Sequence, residues 1–357
     1  MSATAHHAGA AAIALAVLVT VEFAQGGSIV VYGTAPGQSG PDYPGGVILD
    51  GDTIRIDDGA TVSGDVANSG TLQFNQTSGS LAITGTYTGG PTATLSLTSG
   101  GTVSLQQSPT TTIIDGAVNV QAGLLTTGTS ALSIGSTGTG SLSISGNGNV
   151  ATTFAQFASG PGTVASFTMS GGTFTNTART AAPFSFASGS ASSGTFTMTG
   201  GTAGLGTGSG GGLALGPNST ATVLLSGGTV SQNYFEPAKG AGSTATITIS
   251  NAGTRLISSG LMRMSMGASA VATMTVNGGT VNGSQLQMGY GSTSVSTFTV
   301  TGGSVGFNGS SAATSGNMVG YAAGSSGTLA FTGGTTSFAG AVTVGGCLLY
   351  TSPSPRD

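Results

Sequence analysis

Between Ser166 and Thr332 one short pattern returns seven times: small polar, apolar, usually threonine, apolar, small polar, then a glycine turn. It reads SFTMSGG, TFTMTGG, TVLLSGG, TITISNAG, TMTVNGG, TFTVTGG and TLAFTGG. Side chains two apart share one face of a strand, so each phrase predicts a strand with one buried and one solvated face. One inward column is Phe167, Phe196, Val223, Ile247, Met274, Phe298 and Leu329. A second is Met169, Met198, Leu225, Ile249, Val276, Val300 and Phe331. The facing column is Thr168, Thr197, Leu224, Thr248, Thr275, Thr299 and Ala330. The phrases end at Ser170, Thr199, Ser226, Ser250, Asn277, Thr301 and Thr332, giving steps of 29, 27, 24, 27, 24 and 31 residues. A strand-like phrase recurring with a period in the twenties predicts a solenoid.

Two further strand signals recur in each period. Upstream lies an apolar phrase ending in glycine, at Gly216, Gly267, Gly289 and Gly320. Directly after the turn come short strands over 173–175, 229–231 and 280–282. Three strands and three bends per 24–31 residues predict an all-β parallel β-helix whose coils stack ~4.8 Å apart. Glycine at the bends supplies the positive φ that sharp corners need. The period extends back through Ser145, Gln121 and Thr98, placing regular coils over 98–346. Before Thr98 the register is lost, so an amino-terminal cap and irregular or shorter coils are expected over 27–97.

Composition narrows the class. With 66 glycines and 4 % charged residues the chain could be a disordered tract, but 38 % hydrophobic residues and a formal charge of −4 oppose that. Arg55, Arg179, Lys239, Arg255 and Arg263 are scattered, with no basic stripe to neutralise phosphates, which argues against nucleic acid as a partner. Residues 8–21 form one mostly apolar run of 14, shorter than the ~20 needed to span a bilayer. They read as the core of a signal peptide over 1–26, with Ala24 and Gly26 near the cleavage point. His6 and His7 stand where Lys or Arg is usual, and a misplaced start codon is the rival reading. The tail over 347–357, CLLYTSPSPRD, resembles a translated sequencing adapter, which implies that the natural protein continues beyond Gly346.

The repeats over 131–346 resemble those of type V secretion (autotransporter) passengers and PEP-CTERM-associated proteins. The stretch GDTIRIDDGATVSGDVANSGTLQFNQTSGSLAITGTYTGG is similar to the amino-terminal part of autotransporter passengers. The resemblance implies a right-handed parallel β-helix, exported and displayed on the outer membrane, often as an adhesin. It also implies an outer-membrane translocator or anchor in a carboxy-terminal part beyond this chain.

Little catalytic chemistry is available. Between residues 27 and 346 there is no histidine or cysteine, so neither a Ser-His-Asp triad nor a zinc site can be built. From Ser166 to Gly346 the only carboxylate is Glu236, which excludes a two-carboxylate glycosidase there. No enzyme activity and no cofactor are expected. Asp42, Asp50, Asp52, Asp57, Asp58 and Asp65 lie close in sequence. They read as turn residues, with calcium ligation by Asp50, Asp52, Asp57 and Asp58 as the second reading. A lyase using them with Arg55 is the third. The glycine run over 204–212 lacks the lysine of a phosphate loop and reads as a corner. Tyr234 and Phe235 either contact a ligand or pack under their own loop, and Tyr290 and Tyr321 read as a stacked column.

These features suggest a non-enzymatic, secreted or surface-exposed protein: the stalk of an adhesin or autotransporter. It would make multivalent contacts with surface glycans, with proteins, or with its own copies. Thr168, Thr197, Thr248, Thr275, Thr299, Tyr234 and Phe235 are the candidate contact residues. The alternative is binding of ice or a crystalline polysaccharide by the threonine ladder, which Leu224 and Ala330 interrupt.

Overall fold

The computed structural model describes residues 29–32, 43–105, 111–177, 184–206, 212–213, 215–308, 316–345 and 347–348. The presumed signal over 1–26, Asp42, Arg179, most of the glycine run over 204–212 and most of the tail lie outside these. Among the described residues every regular element is a β-strand. The strands form a parallel solenoid with three faces.

On the first face, Phe167 pairs with Phe196, then Val223, Ile247, Met274, Phe298 and Leu329 in turn. These are the 29-, 27-, 24-, 27-, 24- and 31-residue steps of the repeat. Backwards the register continues unbroken through Leu142, Val118, Leu95, Leu72 and Ile54 to Val30. Ile54 to Leu72 is a short coil of 18 residues.

The second face begins at Ser80–Ala82 and runs to Thr335–Phe338. In Val164–Asn176, Ser193–Gly204, Val271–Gly283 and Val295–Phe307 one strand passes through the glycine turn and serves both faces. The third face runs from Gly46–Ile48 to Val342–Val344. Cys347–Leu348 folds back on the last of these as the only antiparallel pair among the described strands.

Apolar residues alternate inward, and neighbouring coils share their burial. Phe167, Phe196, Ile247, Met274 and Phe298 are all within 1 % of complete burial. Phe167 stacks on Phe196 at 4.7 Å between centroids and on Phe157 at 5.3 Å. Each such side chain contributes ~1.5–3 kcal/mol on burial, which a lone coil would lose to chain entropy. Over the last strand of this face, Ser326–Phe331, no further coil lies among the described residues, and Phe331 is 45 % exposed.

Glycine does two jobs at the corners. The second glycine of each GG turn is left-handed, with φ between 67° and 86° at Gly172, Gly201, Gly228, Gly279, Gly303 and Gly334. At the corner between the third and first faces a file of glycines lets the backbones stack. A Cβ on Gly189, Gly216, Gly240, Gly267 or Gly291 would lie 1.9–2.2 Å from the carbonyl oxygen of the glycine one coil back. This separates two positions that the repeat pattern merges. Gly289 and Gly320 belong with Ala187, Ala238 and Ser265 in a left-handed column, whereas Gly216 and Gly267 sit two residues further on.

Along this column a buried hydroxyl donates back to the carbonyl of the glycine three residues earlier, except after Gly267, where Ala270 stands. The bonds are Thr163 to Gly160, Ser192 to Gly189, Ser219 to Gly216, Ser243 to Gly240 and Ser294 to Gly291, at 2.6–2.7 Å. They satisfy oxygens that the tight corner hides from water.

Candidate functional site

The outer surface of the first face follows from the same alternation. Thr168, Thr197, Leu224, Thr248, Thr275, Thr299 and Ala330 stand in one rank, each opposite the next. Beside it runs Ser166, Thr195, Thr222, Thr246, Thr273, Thr297 and Thr328. A third rank is Val164, Ser193, Thr220, Thr244, Val271, Val295 and Ser326. None of the three carries a charge. Spacing is ~4.8 Å along the axis and ~6.8 Å across. Each hydroxyl can donate and accept, so the surface offers a repeating array with no fixed sign. Variation in coil length does not disturb this array, because the extra residues fall outside the first-face strands.

Tyr234 and Phe235 part company. Phe235 is 3 % exposed and bridges Met262 in the third face, so its ring belongs to the core. Tyr234 lies at the surface against Arg263, whose guanidinium carbon is 5.5 Å from its ring centroid and 5.3 Å from that of Tyr290. Tyr290 in turn stacks on Tyr321 at 4.9 Å, nearly parallel, as the aromatic column predicts.

Beneath Arg263 lies Glu236, its side chain 2 % exposed. It accepts from Lys239 Nζ at 2.7 Å and Arg263 Nη1 at 3.1 Å, while Arg263 Nε donates to Gln287 at 3.1 Å. Two cations over one buried carboxylate leave a local charge of about +1, held by pairing and by the tyrosine faces. Arg263 is the residue that sequence reasoning missed here. Its partners lie on neighbouring coils, and only the 24-residue register to Gln287 would have exposed them.

The aspartates do not converge. Among the described residues no three His, Cys, Asp or Glu side chains gather as a metal site would require. Asp50 is exposed and Asp52 buried. Asp57 pairs with Arg55 at 2.9 Å. Asp58 accepts from the Thr77 backbone N–H at 2.8 Å and from its hydroxyl, and the hydroxyl bond is the main reason its carboxyl sits below the ordinary aspartate value. Asp65 accepts from Thr86 N–H at 2.6 Å. Asp115 accepts from Ser136 N–H and from the N–H and hydroxyl of Thr137. Asp58, Asp65 and Asp115 each hold a turn of the next coil.

Compared with known proteins, the chain matches no family model, no curated protein and no solved structure.

Proposed function

We propose that this protein is a non-enzymatic, exported stalk of the adhesin or autotransporter-passenger type, making many weak contacts through its uncharged hydroxyl face. The observation that carries this reading is the registration of three Ser/Thr-rich ranks over seven successive coils. Individual hydroxyl contacts are weak, but a rigid row presents them together, and affinity then grows through multivalency. Surface glycans, proteins or further copies of the chain are the partners that such a face suits. Cells displaying the chain should attach to surfaces or to one another more than control cells do. Replacing Thr197, Thr248 and Thr275 by Glu should cancel the gain through repulsion and desolvation. No change in attachment on display would sink the proposal.

A second reading, binding of ice or a crystalline polysaccharide, gains support from the same registration. The 24- to 31-residue steps leave the ranks aligned, so uneven coil length is no obstacle to a lattice match. Thermal hysteresis at high protein concentration is its test, and none is expected if the stalk reading alone holds.

A further inference from the structure

The second face carries a feature that the hydroxyl face lacks: a trough. Its outer rank is Thr175, Gly204, Ser231, Ile257, Asn282 and Gly306, each opposite the next. Along it lie two neighbouring hollows of about 200 and 260 Å³ that both border Ser259. From Gly204 to Gly306 the trough crosses five coils, ~19 Å at ~4.8 Å per step.

We infer that this trough binds an extended, uncharged polysaccharide lying along the solenoid axis. Its lining is mainly hydroxyl, carboxamide and glycine, with Ser231, Gln232, Ser259, Asn282, Ser284 and Asn308 among the polar groups. Among the described residues no ionisable side chain lines either hollow, which favours a neutral polymer over a uronate or a phosphate ester. Arg255 shares a strand with Ile257 but is not part of the lining.

The backbone in the trough is already paired. Ser259 N–H donates to Gln232 at 2.9 Å, Ser284 N–H to Gly260 at 3.1 Å and Asn308 N–H to Gly283 at 3.0 Å. A peptide strand would therefore find no ladder to extend, whereas sugar hydroxyls can use the side chains. Ile257 supplies the one aliphatic surface, suited to the C–H face of a sugar ring.

Gly204 leaves open space on the trough side. A Cβ there would meet nothing closer than Phe174 O at 3.7 Å, so a side chain could occupy the hollow. Gly204→Leu should fill the trough and leave the coil intact.

The test is affinity electrophoresis of the full chain through gels containing dextran, galactomannan or xylan, with polygalacturonate as the acidic comparison. At least one neutral polymer should slow the protein, and polygalacturonate should not. Gly204→Leu, shown folded by its melting curve, should weaken the retardation about tenfold or more. Should that variant not fold, Ser259→Ala with Asn308→Ala should show the same loss. Replacing Thr197, Thr248 and Thr275 by Ala should leave the retardation unchanged, which separates this site from the hydroxyl face. The inference is overturned if no neutral polymer retards the protein, or if polygalacturonate does so equally. It is also overturned if the filled or trimmed trough binds like the parent, or if the threonine variant loses binding.

Discussion

The coils before residue 120 and those after residue 164 build one solenoid with different fastenings. In the first group carboxylates tie two of the coil pairs together: Asp58 to Thr77 and Asp65 to Thr86 across one junction, and Asp115 to Ser136 and Thr137 across another. Its core is mainly aliphatic, with Ile54, Leu72, Leu95 and Val118 in the axial column. A polar pair is also buried there. Asn68 Nδ2 donates to the Tyr87 hydroxyl at 2.9 Å, and burial pushes that phenol above its usual range.

The second group uses almost no charge. Glycine files, corner hydroxyls and stacked phenylalanines hold it instead. Register can thus be fixed either by a charge reaching across a turn or by removing side chains so that backbones approach. The second device leaves the hydroxyl face uncharged.

Substitutions can break this contrast, beginning with the strongest. Gly240→Val puts a side chain into the Gly216 carbonyl, where a Cβ would lie 2.1 Å away. It should cost roughly 4 kcal/mol or more, read as a collapse of the urea midpoint. An unchanged midpoint would show that the glycine file is dispensable.

Phe167→Ala removes a ring stacked on both sides and should cost about 3–5 kcal/mol. Leu95→Ala, in the same column of the aliphatic group, should cost about 2–5 kcal/mol. Equal losses would mean that the aromatic stack adds nothing beyond burial.

Asp115→Ala should cost about 1.5–3 kcal/mol through the lost charge-assisted bonds. A smaller and opposite effect is expected at Ala270, which occupies the corner-hydroxyl column three residues after Gly267. Ala270→Ser should add one bond and raise stability by about 0.5–1 kcal/mol.

The last is a pH effect at Asp58. Its folded-state pKa lies below the ordinary aspartate value, so its contribution is present above that value. It disappears as pH falls through the lowered folded value. The difference in midpoint between the parent and Asp58→Asn should therefore be visible at pH 6 and vanish at strongly acidic pH.

Where glycine sets the register, the sequence was easy to read. The GG turn repeats in letters, and its spacings reappear as strand pairings from Phe167 to Leu329. The coils before Thr98 were not legible because Asp58 and Asp65 hold their turns through contacts to residues about twenty positions away instead of through the repeated glycine turn. The corner hydroxyls were visible in principle as Gly-x-x-Ser at Gly189, Gly216, Gly240 and Gly291, but they were masked by the abundance of both residues. Of the candidate contacts, the threonine rank follows directly from alternation. Phe235 does not, since alternation in so short a bridge cannot say which of two adjacent rings turns inward. The neutral trough had no signature, being made of residues that are common everywhere in the chain.

Every bond between coils points along the solenoid axis, which has a mechanical consequence. Tension applied end to end reaches those bonds one layer after another rather than all at once. Each layer that yields between Ser166 and Thr332 releases 24–31 residues, worth roughly 80–110 Å of extended chain against a rise of ~4.8 Å. Pulled in this way the molecule should lengthen some twentyfold in a staircase whose treads report coil length.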